Sequence, residues 1–103
     1  MKYFMIKYVF KDGSRDAWHG EMETFIAALD GDPALAGKIS YRCHRIRGRD
    51  DYFHIAGAID DDAIKALQGN ATFRAYQEKT RAVSGGTLEV VPLDIVAETR
   101  FRA

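Results

Sequence analysis

At 103 residues the chain holds one domain, residues 1–103, with no room for a second core. Hydrophobic residues make up 47% and charged residues 29%, as is ordinary for a soluble globular protein, and fifteen basic side chains balance fifteen acidic ones. That balance argues against a general binder of nucleic acid or of an anionic membrane, either of which needs a surplus of Lys and Arg.

Cys43 is alone, so no disulfide forms within the chain, and a reducing compartment is its simplest home. The opening MKYFMIKYVF interleaves lysines with aromatics and lacks the continuous apolar stretch of a signal peptide. No apolar run approaches the roughly 18 residues needed to span a bilayer, so a cytoplasmic protein without a membrane partner is expected.

Lys2 to Phe10 is rich in aromatic and β-branched residues and predicts a strand. Phe4, Ile6, Tyr8 and Phe10 fall on one face, and Tyr3, Met5 and Val9 on the other. Lys11-Asp12-Gly13 turns the chain, and Ser14 suits the N-cap of a helix. Trp18, Met22, Phe25, Ile26 and Leu29 then form a stripe of helical period, stopped by Gly31 and Asp32-Pro33. Gly37 to Arg47 alternates as a second strand, with Ile39, Tyr41 and Cys43 on one face.

Gly48 to Asp51 predicts a hairpin turn, and Tyr52 to Ile59 the third strand. Asp60 caps the next helix, with Asp61 and Asp62 at its positive dipole end and Ile59 and Ile64 as a hydrophobic staple. Gly69-Asn70 interrupts it, and Asn70 can cap a segment carrying Phe73, Tyr76, Thr80 and Val83. Ser84-Gly85-Gly86 ends that helix, Thr87 to Ala97 predicts the last strand, and Glu98 to Ala103 is a polar tail.

The order β-α-β-β-α-β is the split βαβ, an α+β ferredoxin-like arrangement. Right-handed crossovers place the helices on one face of a four-stranded antiparallel sheet of order 4-1-3-2. Pro92 then falls on one edge strand, where a missing donor is tolerated. Arg42, Arg45 and Arg47 fall on the other, where charge discourages edge pairing. The first and third strands are apolar on both faces, yet the helices cover only one. A homodimer packed through the open sheet face is therefore expected.

Two segments carry a resemblance that covers nearly the whole chain: MKYFMIKYVFKDG and DYFHIAGAIDDDAIKALQGNATFRAY. The pattern resembles the antibiotic-biosynthesis-monooxygenase family of dimeric α+β barrels. The resemblance implies a ligand held between helices and sheet. It also implies a monooxygenase-like protein that oxidises a small aromatic or polyketide-like molecule without a cofactor, or else a non-catalytic dimeric ligand-binding or scaffold module. Haem-degrading relatives have an Asn near Lys7, a Trp near Leu67 and a His near Gln77. This chain has none of the three, so haem is not expected, and no other cofactor is.

His54 can act as a general base if it faces the helices, since imidazole titrates near neutral pH; without a nucleophile or partner in view, a histidine that simply hydrogen-bonds in a half-buried sheet is the simpler reading. In the oxygenase reading His54 or Lys7 helps form a substrate anion that reacts with oxygen, while Tyr76 and Gln77 orient it. Trp18, Leu67 and Phe73 complete the expected pocket, unless these residues are simply core. Ala56-Gly57-Ala58 marks missing side-chain volume in a central strand, explained either by a pocket or by a β-bulge at Gly57. Whether His44 and His54 share a face depends on hairpin register, even-numbered pairing sums putting them together. His19 and Glu23 read as a surface pair four residues apart, Cys43 as a small apolar residue, and no metal motif is present. The third strand also lacks the aromatic pattern of RNA-recognition domains, so no nucleic-acid partner is expected.

Overall fold

The computed structural model describes residues 1–100; of the polar tail, residues 101–103 lie outside the described part. Its elements follow the predicted order, with β1 (Lys2–Val9), α1 (Arg15–Gly31), β2 (Ile39–Arg45), β3 (Asp51–Ala58), α2 (Asp61–Gln68), α3 (Ala71–Ser84) and β4 (Glu89–Leu93). The sheet runs β2-β3-β1-β4, fully antiparallel, the expected order read from its other edge. β4 is shorter than Thr87 to Ala97, because pairing with β1 stops where Leu93 meets Tyr3. Pro92 lies on that edge, opposite Phe4.

The helices begin where side chains satisfy their first free N–H groups. Ser14 accepts from Ala17, Asp60 from Ala63 and Asn70 from Phe73. Asn70 does a second task, donating its amide Nδ2 to Asp32 just after α1, at 3.1 Å. Asp32 in turn accepts from the Ala34 backbone. Three helix termini thus meet around two side chains.

Trp18, Met22, Phe25 and Leu29 are the buried face of α1, and Phe73, Tyr76 and Thr80 that of α3. They close on Ile6, Tyr8, Tyr52, His54 and Ala56, which alternation points the same way from β1 and β3. Cys43 faces His54 across the hairpin and His44 faces Phe53. The pairing sum is odd, so the two histidines lie on opposite faces of the sheet.

Gly57 lies in regular register between Tyr3 and Ser40, so the bulge envisaged there does not occur. It faces away from the helices. A Cβ there would stand 2.6 Å from the Ser40 hydroxyl and 2.7 Å from the Tyr3 ring. On the same open face, Tyr3, Met5, Val9, Phe53, Ile55, Val91 and Leu93 are only half-buried.

Candidate functional site

The helix side of the sheet holds a filled aromatic cluster rather than a hollow. The Tyr76 ring stacks on Phe25, with centroids 4.0 Å apart and planes 3° apart, and on Trp18 at 5.3 Å. His54, fully buried, sits beneath them with both ring nitrogens engaged. The Tyr8 hydroxyl lies 2.9 Å from Nε2, and the Tyr41 hydroxyl 3.0 Å from Nδ1. Trp18 Nε1 donates to the Tyr8 hydroxyl at 2.9 Å. Tyr41 reaches His54 across Ala56, the small residue opposite it on β3.

Burial sets the charge state of this cluster. Desolvation, reinforced by the nearby His44, lowers the His54 pKa to about 4, so its imidazole is neutral at pH 7. Desolvation likewise pushes the hydroxyls of Tyr8, Tyr41 and Tyr76 well above the ordinary phenol range, keeping them protonated. The Cys43 thiol, 3.8 Å from the Tyr76 hydroxyl, is raised by burial to about 11, the Tyr76 contact opposing that rise. The cluster holds no charge at neutral pH and no strong base.

The site residues expected from the sequence therefore separate. His54, Tyr76 and Trp18 come together, though His54 and Tyr76 meet ring to ring, 6.2 Å apart, without a hydrogen bond between them. Leu67, Phe73 and Gln77 line a different space, a cavity of about 130 Å³ beside Ala56 and Ala58. Lys7 joins neither: it is exposed on the open face, 3.3 Å from Glu89. Strand alternation requires this, since Ile6 and Tyr8 on either side of it face the helices.

A larger space lies elsewhere. Between α1 and the outer edge of β2 runs an open groove of about 610 Å³. Met22, Ile26, Ala27, Tyr41 and Cys43 give it an apolar floor, while His19, Glu23, Asp30 and Arg45 supply polar groups. Tyr41 also borders a small lobe beside Tyr76 and Gln77, so its side chain lines both the groove and the interior. At one end Tyr52 lines the groove, its hydroxyl bonded to Arg15 Nε at 3.2 Å and to His19 Nε2 at 2.7 Å. His19 thus engages Tyr52, with the i,i+4 residue Glu23 beside it on the groove wall.

Tyr8 and Tyr41 were not among the residues singled out from sequence. Their signal was present: each places a phenol hydroxyl on a strand face otherwise apolar, and such a group needs a buried partner. Among the described residues, no three His, Cys, Asp or Glu side chains converge as a metal-holding group.

No protein-family model matches the sequence, and no curated protein matches it significantly. Solved structures do match its fold. SnoaB, a cofactor-independent oxygenase from Streptomyces nogalater, superposes with a TM-score of 0.72 at 19% identity, over 97% of this chain and 98% of its own. An antibiotic biosynthesis monooxygenase matches at TM-score 0.75 and 14% identity, over 94% of this chain and all of its own, 100%. A dimeric ferredoxin-like protein of unknown function from Jannaschia sp. CCS1 matches at TM-score 0.65 and 19% identity, over 92% and 100% of the two chains. At such identities the likeness is one of architecture, and by that architecture the chain has the ferredoxin-like α+β fold of antibiotic-biosynthesis-monooxygenase-like proteins.

Proposed function

We propose that this chain binds a small aromatic or polyketide-like molecule in the groove between α1 and β2, and acts on it as a cofactor-independent monooxygenase-like protein. The size and lining of the groove carry this proposal. Its volume of about 610 Å³ exceeds the roughly 300 Å³ that a small-molecule site needs, whereas the inner cavity of about 130 Å³ falls short. An apolar floor with polar groups at the margin suits a flat ring system bearing oxygen substituents. The oxygenase activity rests on likeness of fold to SnoaB, and one fold hosts many activities.

The chemistry needs no bound cofactor when the substrate itself supplies the electrons. A ring CH₂ flanked by phenols loses a proton, its carbanion reduces O₂, and the carbon becomes a carbonyl while the second oxygen atom leaves as water. In this protein His54 does not take that proton, because it is fully buried and already engaged at both nitrogens. Proton removal falls to the groove's own groups, His19 and Glu23. Tyr41 is the member of the aromatic cluster that meets the ligand.

A thermal-shift screen with anthrones and quinols tests the binding. A bound compound raises the melting temperature of the protein, and Ala27→Trp, which fills the groove from an exposed helix position, abolishes the rise. If no compound shifts the wild type, the groove is not its ligand site. Oxygen uptake with a compound that binds then separates the enzyme from a non-catalytic ligand-binding or scaffold module. The latter alternative is favoured by the engagement of both His54 nitrogens in core contacts.

We further propose that two copies pack through the open sheet face. Half-buried Met5, Phe53, Ile55 and Val91 form its apolar centre, and a fold neighbour is itself described as dimeric. Sedimentation showing only monomer at micromolar concentration overturns this.

A further inference from the structure

We propose that Trp18, Tyr8, His54 and Tyr41 form a one-way donor chain, which holds the His54 proton on Nδ1 and leaves the Tyr41 hydroxyl proton for an oxygen atom of a bound ligand. The ligand half of this proposal rests on the groove being a ligand site; the direction of the chain does not.

The direction follows from what each group can do. Indole N–H only donates, so Trp18 Nε1 gives its hydrogen to the Tyr8 oxygen. Tyr8 keeps its own proton, and His54 Nε2 at 2.9 Å is the side-chain partner that can take it. If Nε2 carried the histidine proton instead, Tyr8 would accept twice and its hydroxyl hydrogen would have no acceptor. Tyr8 is 3% exposed, so that orphan would sit in a dry interior, where unmet donors are costly. Tyr8 therefore donates to Nε2, and the neutral ring carries its proton on Nδ1. Nδ1–H then donates to the Tyr41 oxygen at 3.0 Å.

One hydroxyl hydrogen is left over in either direction, and the structure decides where. In the reverse chain it is that of Tyr8, sealed in the core. In the forward chain it is that of Tyr41, a residue less buried than Tyr8, whose side chain walls both the groove and the lobe beside Gln77. Tyr41 makes its hydrogen bond to His54, and its remaining proton is the open end of the chain. Successive donors polarise one another in a low-dielectric interior, so the last is a better donor than an isolated tyrosine. It favours a charged ligand oxygen over a neutral one, because hydrogen bonds to ionised acceptors are the stronger. Tyr41 is thus a specificity-determining contact, and His54 acts through it as a positioning residue.

Nitrogen NMR of the intact protein labelled at histidine tests the direction. At pH 7 the His54 resonances should show a protonated Nδ1 and an unprotonated Nε2; the opposite tautomer overturns the chain. Para-nitrophenol, whose visible band reports its ionisation, tests the open end. The wild type should bind the phenolate about tenfold more tightly than the phenol. Tyr41→Phe should lose that preference while binding para-nitroanisole, which cannot ionise, as before. A preference unchanged in Tyr41→Phe, with melting temperature retained, overturns the role of Tyr41. If neither probe binds the wild type, the groove proposal and the ligand half fall together, and the tautomer alone decides whether the chain stands. If probes bind but the tautomer is reversed, the groove stands and the chain falls.

Discussion

Gly57 and Tyr3 face each other across the β3–β1 pair so closely that a Cβ on the glycine would come within 2.7 Å of the tyrosine ring. The glycine is there for space on the open face, where the Tyr3 ring lies over it. Gly57→Ala must displace both Tyr3 and the Ser40 hydroxyl, costing about 1–3 kcal/mol as overpacking does. Urea unfolding measures the loss, and Tyr3→Ala in the same chain should recover part of it. Strict additivity of the two substitutions would show that they do not meet.

The buried imidazole makes stability depend on acid. His54 has a folded pKa of about 4 against an ordinary 6.5, so the unfolded chain binds the proton more readily. Its contribution is complete above pH 6.5 and drains away as pH falls towards 4. The difference corresponds to about 3 kcal/mol in all. Urea midpoints at pH 7.5 and pH 4.5 should differ accordingly, and His54→Phe should flatten that part of the profile. A wild-type profile that is flat between these values contradicts the burial argument.

Cys43 tests the same dry environment from the groove side. With its pKa near 11 rather than 9, its thiolate fraction at pH 8 is lower by about a hundredfold. Reaction with an aromatic disulfide reagent in the native state should be slower than in urea by about tenfold or more, since the greater nucleophilicity of the less acidic thiolate offsets part of that factor. Tyr76→Phe removes a contact that opposes the rise, so it should slow the reaction further.

Much of this molecule is written locally. Ser14, Asp60 and Asn70 announce helix starts by chemistry that acts within three residues, and each does cap its helix. Pro92 and the arginines of β2 mark the two edges because an edge strand tolerates what a central strand does not. The site was less legible, since it depends on long-range register. His54 finds Tyr8 across 46 positions and Tyr41 across 13, and one slip in the hairpin would aim it elsewhere. β3 is apolar on both faces, so its own pattern does not select the register. Lys7 is different: its flanking residues already assigned it to the far face. The groove left no sequence signal, because it arises where α1 overhangs an edge strand and not from any motif.

Asn70→Ala should cost more than an ordinary cap. It removes the acceptor for the Phe73 N–H and the donor to Asp32 together. A loss of about 1–2 kcal/mol is expected, at the upper end for caps. Asn70→Asp keeps the cap but sets a carboxylate against Asp32, and should recover little of the loss at pH 7 and more in acid, where one carboxylate is protonated. Wild-type stability of Asn70→Asp across that range would show that the bond to Asp32 contributes nothing.

That shared amide bears on how a ligand gets in. A glycine-bearing break between two short helices suggests a hinge, but Asn70 ties this one to the end of α1. The three helices are thereby stapled at one corner into a plate that cannot open there. Breathing that admits a molecule comes more readily at the opposite rim, where the edge strand β2 borders α1 along the groove and Phe25 meets Tyr41 edge to face. The doorway is set by where the helical plate is pinned.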